Sequence, residues 1–256
     1  RDRLRSRGLG DVYKRQEHAI EMPKIRGKVT FDHVTFAYDE TKTILKDVSF
    51  TVNPGESVAL VGPTGAGKST IVNLISRFYN VNDGKVLIDD QDIANVTIHS
   101  LRAQMGIMMQ DSFIFSGTIA DNIRYGKLDA TQEEIEKAGK IVCADPFIRE
   151  MPKGYETQVR ERGSMLSQGQ KQLISFARTL LCDPAILILD EATSSIDVQT
   201  EKALQTGLNR MLKGRTSFII AHRLSTIRGC DKIMYIDDGG IAEAGTHEEP
   251  VSYTHL

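Results

Sequence analysis

One stretch constrains this chain more than any other: Gly62-Pro63-Thr64-Gly65-Ala66-Gly67-Lys68-Ser69, set between the apolar run Ser57 to Val61 and a segment with Ile71, Leu74, Ile75 and Phe78 at helical spacing. The pattern G-x-x-x-x-G-K-[ST] needs a strand before it and a helix after it, and the flanks predict both. Its glycines let consecutive backbone N–H groups turn inward around phosphate oxygens, while the helix that follows offers those oxygens its positive end. Lys68 supplies a mobile charge for the outer phosphates. The Ser69 hydroxyl is a hard oxygen ligand suited to Mg²⁺.

The grip has to be local, because Lys and Arg number 32 against 34 Asp and Glu, a net charge of -2. Such a balance gives no polyanion-binding field, and no nucleic-acid partner is expected. With 40% hydrophobic and 26% charged residues in 256, the chain has the composition of a globular protein, large enough for one core and a subdomain. Cys143, Cys182 and Cys230 lie far apart without a C-x-x-C spacing, so reduced thiols are expected. No run approaches the roughly 18 to 20 apolar residues of a membrane helix.

Around the loop, strand and helix patterns alternate. Val29 and Phe31, then Val34, Phe36 and Tyr38, alternate with a slip of phase near Asp32 and His33, which predicts a bulged strand. Strand character returns at Val48, Phe50 and Val52, at Val86 to Ile88, and at Met105 to Met109. From about 113 to 165 the texture changes, with Thr131 and Glu134 forming a capping box that opens a charged helix. This segment is expected to be a mainly helical insertion. Alternation then resumes: a helix from about Gln168, a strand Ala185 to Leu189, a helix around Val198 to Met211, strands Thr216 to Ala221 and Ile233 to Ile236, and an Asp238-Gly239 hairpin. Strands alternating with helices imply an α/β fold with a mainly parallel sheet.

A phosphate site of this type needs a second half, an apolar strand ending in an acid. Ile186-Leu187-Ile188-Leu189-Asp190 supplies it, with Glu191 next. Asp190 is expected on the metal side, and Glu191 as the general base or water-orienting group for attack on a γ-phosphate.

The ends differ from the middle. The first sixteen residues carry Arg1, Arg3, Arg5, Arg7, Lys14 and Arg15 without hydrophobic period, and PVSYTHL closes the chain. They are expected to be solvated tails. DVYKRQ and PVSYTHL resemble translated adapter sequence, which would make both ends foreign. The expected organisation is a tail at 1–22, one domain at 23–249 with its core at 23–112 and 166–249 and the insertion at about 113–165, and a tail at 250–256.

Leu166-Ser167-Gln168-Gly169-Gln170, upstream of the Asp190 strand, resembles the LSGGQ signature of ATP-binding-cassette (ABC) ATPases. Other matches follow in that family's order. Tyr38 resembles its adenine-stacking aromatic, Gln110 its Q-loop glutamine, Ser194-Ser195-Ile196-Asp197 its D-loop, and His222 its switch histidine. The resemblance implies a P-loop NTPase, RecA-like core with an N-terminal antiparallel β-subdomain and an inserted helical subdomain. It implies ATP held by Tyr38 and Gly62 through Thr70, with Mg²⁺ on Ser69, Gln110 and Asp190. It implies catalysis by Glu191, His222 and Gln110, and a second ATPase domain whose ATP faces the signature.

Phe115 to Gly126 (FSGTIADNIRYG) and Thr157 to Gly163 (TQVRERG) look most like exporters with fused transmembrane domains. Those domains are therefore expected partners, at the cytoplasmic face of a membrane. A coiled-coil chromosome ATPase would need a heptad-rich insertion, and a GTPase an N-K-x-D motif; neither pattern is present. The competing reading is a non-transport ABC ATPase or a nucleotide-sensing module, against which Glu191, His222 and the Thr157 to Gly163 segment all count. Two departures stand out. Gln168 replaces the family's usual Gly, which favours a heterodimer with one degenerate ATP site over a homodimer, and Arg160 stands where the family often has Gly.

Overall fold

The computed structural model describes residues 19–39, 42–108, 113–160, 163–191 and 197–246. Two compact units emerge: one from the described residues up to Met105 with Ala185–Ile188 and the chain from Gly214 onward, the other from Gly106–Pro184 and Leu189–Lys213.

In the first unit, β1 (Val29–Ala37) pairs antiparallel with β2 (Thr43–Val52) and with β4 (Asp83–Ile88), which in turn pairs with the short β5 (Gln91–Asp92). The phase slip read from the sequence is a register shift between Phe31 and Val34, with His33 at φ 49. The shift keeps Phe31 and Val34 on the buried face, where Phe31 stacks on Phe50 at 4.5 Å and Phe50 meets Phe218 at 6.5 Å. Rings packed this way add roughly 0.5–1.5 kcal/mol per pair beyond burial.

A six-stranded sheet runs in the order β12-β11-β3-β10-β9-β6. Here β3 is Ser57–Val61, β6 Met105–Met108, β9 Ile186–Asp190, β10 Thr216–Ile220, β11 Lys232–Asp237 and β12 Gly240–Gly245. Strands β10 and β11 run parallel to β3, and β12 returns antiparallel along β11 through the predicted hairpin. Every residue of β3 and β10 is buried, as expected of a strand covered on both faces.

Helix α1 (Lys68–Ile75) follows β3. It stops before Phe78, the last residue of the predicted apolar face. The Ser76 hydroxyl donates back to the Val72 carbonyl at 2.8 Å, and Arg77 turns left-handed at φ 52. Arg77 is 1% exposed and donates to the carbonyls of Ala94 and Val96. Beyond it, α2 (Ile98–Arg102) carries Arg102, whose guanidinium lies 4.4 Å from the Phe78 ring centroid.

The folded chain begins earlier than residue 23. Ile20 bridges Val96, the Met22 N–H donates to Ser100 Oγ at 2.7 Å, and Met22 is 6% exposed. Backbone pairing to 95–100 and a buried thioether hold a stretch that composition alone assigns to a tail.

The second unit is largely helical: α3 (Ile119–Arg124), α4 (Gln132–Ile141), α5 (Asp145–Glu150), α6 (Gln168–Leu181) and α7 (Val198–Leu212). Packing groups α6 and α7 with the inserted helices, whereas the sequence reading assigns 166–249 to the core. The predicted Thr131–Glu134 capping box is present at α4. Helix α6 buries Leu173, Ile174, Phe176 and Ala177, and each large apolar side chain so buried contributes about 1.5–3 kcal/mol. A β-carbon on Gly207 of α7 would fall 2.3 Å from the Val142 carbonyl oxygen, so only glycine allows this approach of α7 to the end of α4. The strands β7 (Gly117–Thr118) and β8 (Gln158–Val159) pair antiparallel. The first unit also holds a last short helix, α8 (Leu224–Arg228). Among the described residues, no helix is long and apolar enough to cross a membrane.

Candidate active site

In the first unit, the phosphate loop leaves the carboxyl end of β3 and enters α1 through Gly67. Gly62 and Gly67 stand at φ 137 and 116, a region that L side chains rarely adopt. Space forbids a side chain as well. A β-carbon on Gly62 would lie 2.0 Å from the Ile236 carbonyl oxygen, and one on Gly67 would lie 2.8 Å from Leu45 Cδ2. Both glycines thus serve conformation and close packing at once. Lys68 Nζ donates to the carbonyls of Gly62 at 2.6 Å and Pro63 at 2.8 Å, folding its charge over the loop.

Tyr38 and His222 belong to the same unit. The Tyr38 hydroxyl pairs with Thr70 Oγ1 at 3.1 Å, which joins the aromatic to the first turn of α1. Tyr79 and Phe36 meet its ring edge-on, each at 4.9 Å between centroids, and leave Tyr38 43% exposed. Tyr79 is a support that the sequence does not announce; its only signal is an aromatic just past the helix. His222 follows β10. Ile220 lies opposite Leu60 in the parallel ladder and the Ala221 N–H donates to the Leu60 carbonyl at 3.2 Å, so His222 leaves the sheet at the edge where the loop begins. His222 is exposed.

The remaining residues lie in the second unit. Asp190 ends β9, as read from the sequence, and Glu191 beside it is 9% exposed. Ser167 is the N-cap of α6: its Oγ accepts from the Gln170 N–H at 3.2 Å, while Gln170 Oε1 accepts from the Ser167 N–H at 3.0 Å. This capping box tolerates the departure at Gln168, which is the first residue of the helix and half-buried. Leu166 and Gly169 are buried around it. Asp197 caps α7, and its hydrogen bonds from Thr200 hold its carboxyl below the usual carboxylate range. Gln110, Ser194, Ser195 and Ile196 lie outside the described residues.

Charge at the helix ends separates these elements. Helices α3, α4, α5 and α7 each place their own Asp or Glu in the first turn, while α1 and α6 place none. An acid there would neutralise the positive end of the helix and repel phosphate. Of the described helices with eight or more residues, the two that carry the loop and the signature are thus the ones with no acid in the first turn.

The β7–β8 pairing brings together the two exporter-like segments, far apart in sequence: Thr118 faces Gln158, and the Ile119 N–H donates to the Thr157 carbonyl at 3.1 Å. Beside them runs a groove of about 720 Å³ lined by Ser116, Gln158, Arg160, Ser164 and Met165 among others.

Comparison with known proteins agrees with this geometry. The family model "ABC transporter" matches residues 45–194. The uncharacterized ABC transporter ATP-binding protein YfiC of Bacillus subtilis is 53% identical over 234 residues, which cover 91% of this chain and 39% of that protein. A fatty acid ABC transporter ATP-binding/permease protein of Mycobacterium bovis is 48% identical over 94% of this chain and 38% of its own length. The chain therefore spans about two fifths of the curated relatives it matches. The solved structure of a bacterial Atm1-family ABC exporter with ATP bound superposes with a TM-score of 0.83 at 47% identity, covering 91% of this chain and 41% of that one. Phosphate loop, signature helix, sheet order and these likenesses converge: the chain belongs to the ABC transporter family, as one of its ATP-binding domains.

Proposed function

We propose that this chain is the ATP-hydrolysing domain of an exporter, working at the cytoplasmic face of a membrane. The observation that carries the reading is that, among the described helices of eight or more residues, the two without an acid in the first turn are the one behind Lys68 and the one behind Ser167. Two such ends on one chain suit two different nucleotides. The loop of 62–70 grips the phosphates of the chain's own ATP, with Tyr38 against the adenine. The Ser167 end, whose hydroxyl accepts from Gln170 and keeps its own O–H to donate, faces the γ-phosphate held by a second ATPase domain.

Glu191 takes the proton of the attacking water as its oxygen bonds to the γ-phosphorus and ADP leaves with the electrons of the broken P–O bond. Lys68 and His222 donate to the γ-phosphate oxygens as their charge grows. Ser69 hydroxyl and Asp190 carboxylate are hard oxygen donors that fit Mg²⁺, with Gln110 as the third group. A Mg²⁺ held there would supply charge neutralisation for the phosphates.

Export requires a membrane-spanning partner, and the joined segments 115–126 and 157–163 with their groove support docking there. A fatty acid transporter and an Atm1-family exporter both share this domain with the chain at 47–48% identity, which supports placing cargo selectivity outside it. Gln168 keeps the cap yet puts a long side chain where the γ-phosphate of the second domain would sit. This favours a heterodimer with one weakened ATP site over a homodimer.

Phosphate release and nucleotide binding, measured on the same preparation, test the reading. Glu191→Gln is expected to retain ATP and to lose turnover by at least about 100-fold, the usual contribution of a general base. Turnover at the parent rate would remove Glu191 from the mechanism.

A further inference from the structure

Arg178 lies in the last turn of α6, at the other end from Ser167. Its Nε donates to the Asn122 carbonyl at 2.8 Å, one terminal nitrogen to the Phe113 carbonyl at 3.0 Å, and the other to Asn122 Oδ1 at 3.1 Å. The guanidinium carbon stands 5.2 Å from the Phe115 ring centroid and 6.0 Å from that of Tyr125. Asn122 is 1% exposed, and its amide nitrogen donates to the carbonyls of Phe115 and Thr118, both at 3.0 Å.

The rings form one cluster at the surface. Phe113 meets Phe115 edge-on at 4.9 Å, Phe115 lies 4.6 Å from Tyr125, and the three are 51%, 37% and 61% exposed. Among the described residues, Arg178 has neutral oxygens and aromatic faces as partners and no carboxylate. Burial works against its charge and lowers its pKa. An apolar side chain would fill the space without that cost. Only a planar guanidinium can reach three acceptors along its edge while presenting charge to rings.

We propose that Arg178 is a positioning residue that fastens the Phe113, Phe115 and Tyr125 rings to α6, so that a phosphate engaging the Ser167 end of the helix changes the setting of the rings at its other end. The α6 helix transmits this as a single rod of 14 residues. The inference rests on the proposed pairing of Ser167 with a second chain's ATP.

The absence of tryptophan from the chain makes the test clean. Tyr125→Trp places a single reporter in the ring cluster, and Glu191→Gln in the same chain keeps ATP bound. ATP binding, followed by calorimetry, is read beside the tryptophan emission. The expected result is an ATP-dependent emission change that falls at least about fivefold with Arg178→Lys, which keeps the charge but loses the fork and the ring contact, while ATP affinity stays within about twofold. Arg178→Met, with similar length and no charge, is expected to behave likewise. An unchanged emission response in Arg178→Lys would overturn the proposal. So would ATP binding with no emission change in the Arg178 parent. Loss of ATP binding by the parent itself would overturn the underlying reading together with the proposal.

Discussion

The amino ends of α1 and α6 are built from the same physics and prepared in opposite ways. At α1 the N-cap is Gly67, which has no side chain to offer, and the neighbouring charge is Lys68. At α6 the N-cap is Ser167, locked by a reciprocal capping box with Gln170. The first leaves the work of satisfying the helix end to a ligand. The second satisfies part of it in advance and is held in shape by its own chain, which suits the smaller grip on a phosphate bound elsewhere that we propose for it. The caps thus separate the proposed primary site from the proposed completing site.

The comparison can be broken at either end. The largest effect is expected from Gly62→Ala, where a methyl would press on the Ile236 carbonyl at φ 137. Strain of this kind costs about 1–3 kcal/mol, and displacement of β11 adds to it. A denaturant titration should show the loss, and an unchanged midpoint would mean that the loop relaxes freely. Ser167→Ala removes one arm of the capping box and should lower stability by about 1 kcal/mol, visible in the same titration. A loss near zero would argue that Gln170 alone holds the α6 end. The smallest effect belongs to Gln168→Gly, which clears the space for a facing γ-phosphate without touching the cap. Steady-state phosphate release is expected to rise by about two- to fivefold, equivalent to less than 1 kcal/mol. A fall would mean that the long side chain assists the site, and would remove the ground for a heterodimer.

Much of this was legible from residues whose chemistry has few alternatives. Left-handed glycines before Lys68, the apolar runs within β3 and β9, and the phase slip at Asp32–His33 each have one structural outcome, and the structure has it. The Ser167–Gln170 box is equally legible as an S-x-x-Q capping spacing within the signature. Features created by tertiary contact left no trace in the sequence. Arg77 is buried by two carbonyls from 94–96, and β7 and β8 are two residues each. Ile20 and Met22 are held by partners at 95–100, which composition could not reveal. Arg178 reads as an ordinary helix-end cation until Asn122 and two rings are seen around it.

The central claim is that the α1 end binds the chain's own ATP whereas the α6 end acts on the ATP of another chain. Calorimetric titration with ATP at a protein concentration that keeps the chain monomeric tests it most directly, comparing Lys68→Ala with Ser167→Ala. Loss of a charge-assisted phosphate contact should weaken Lys68→Ala by at least about tenfold, while Ser167→Ala stays within about twofold of the parent. Equal weakening in both variants would contradict the division between the two helix ends.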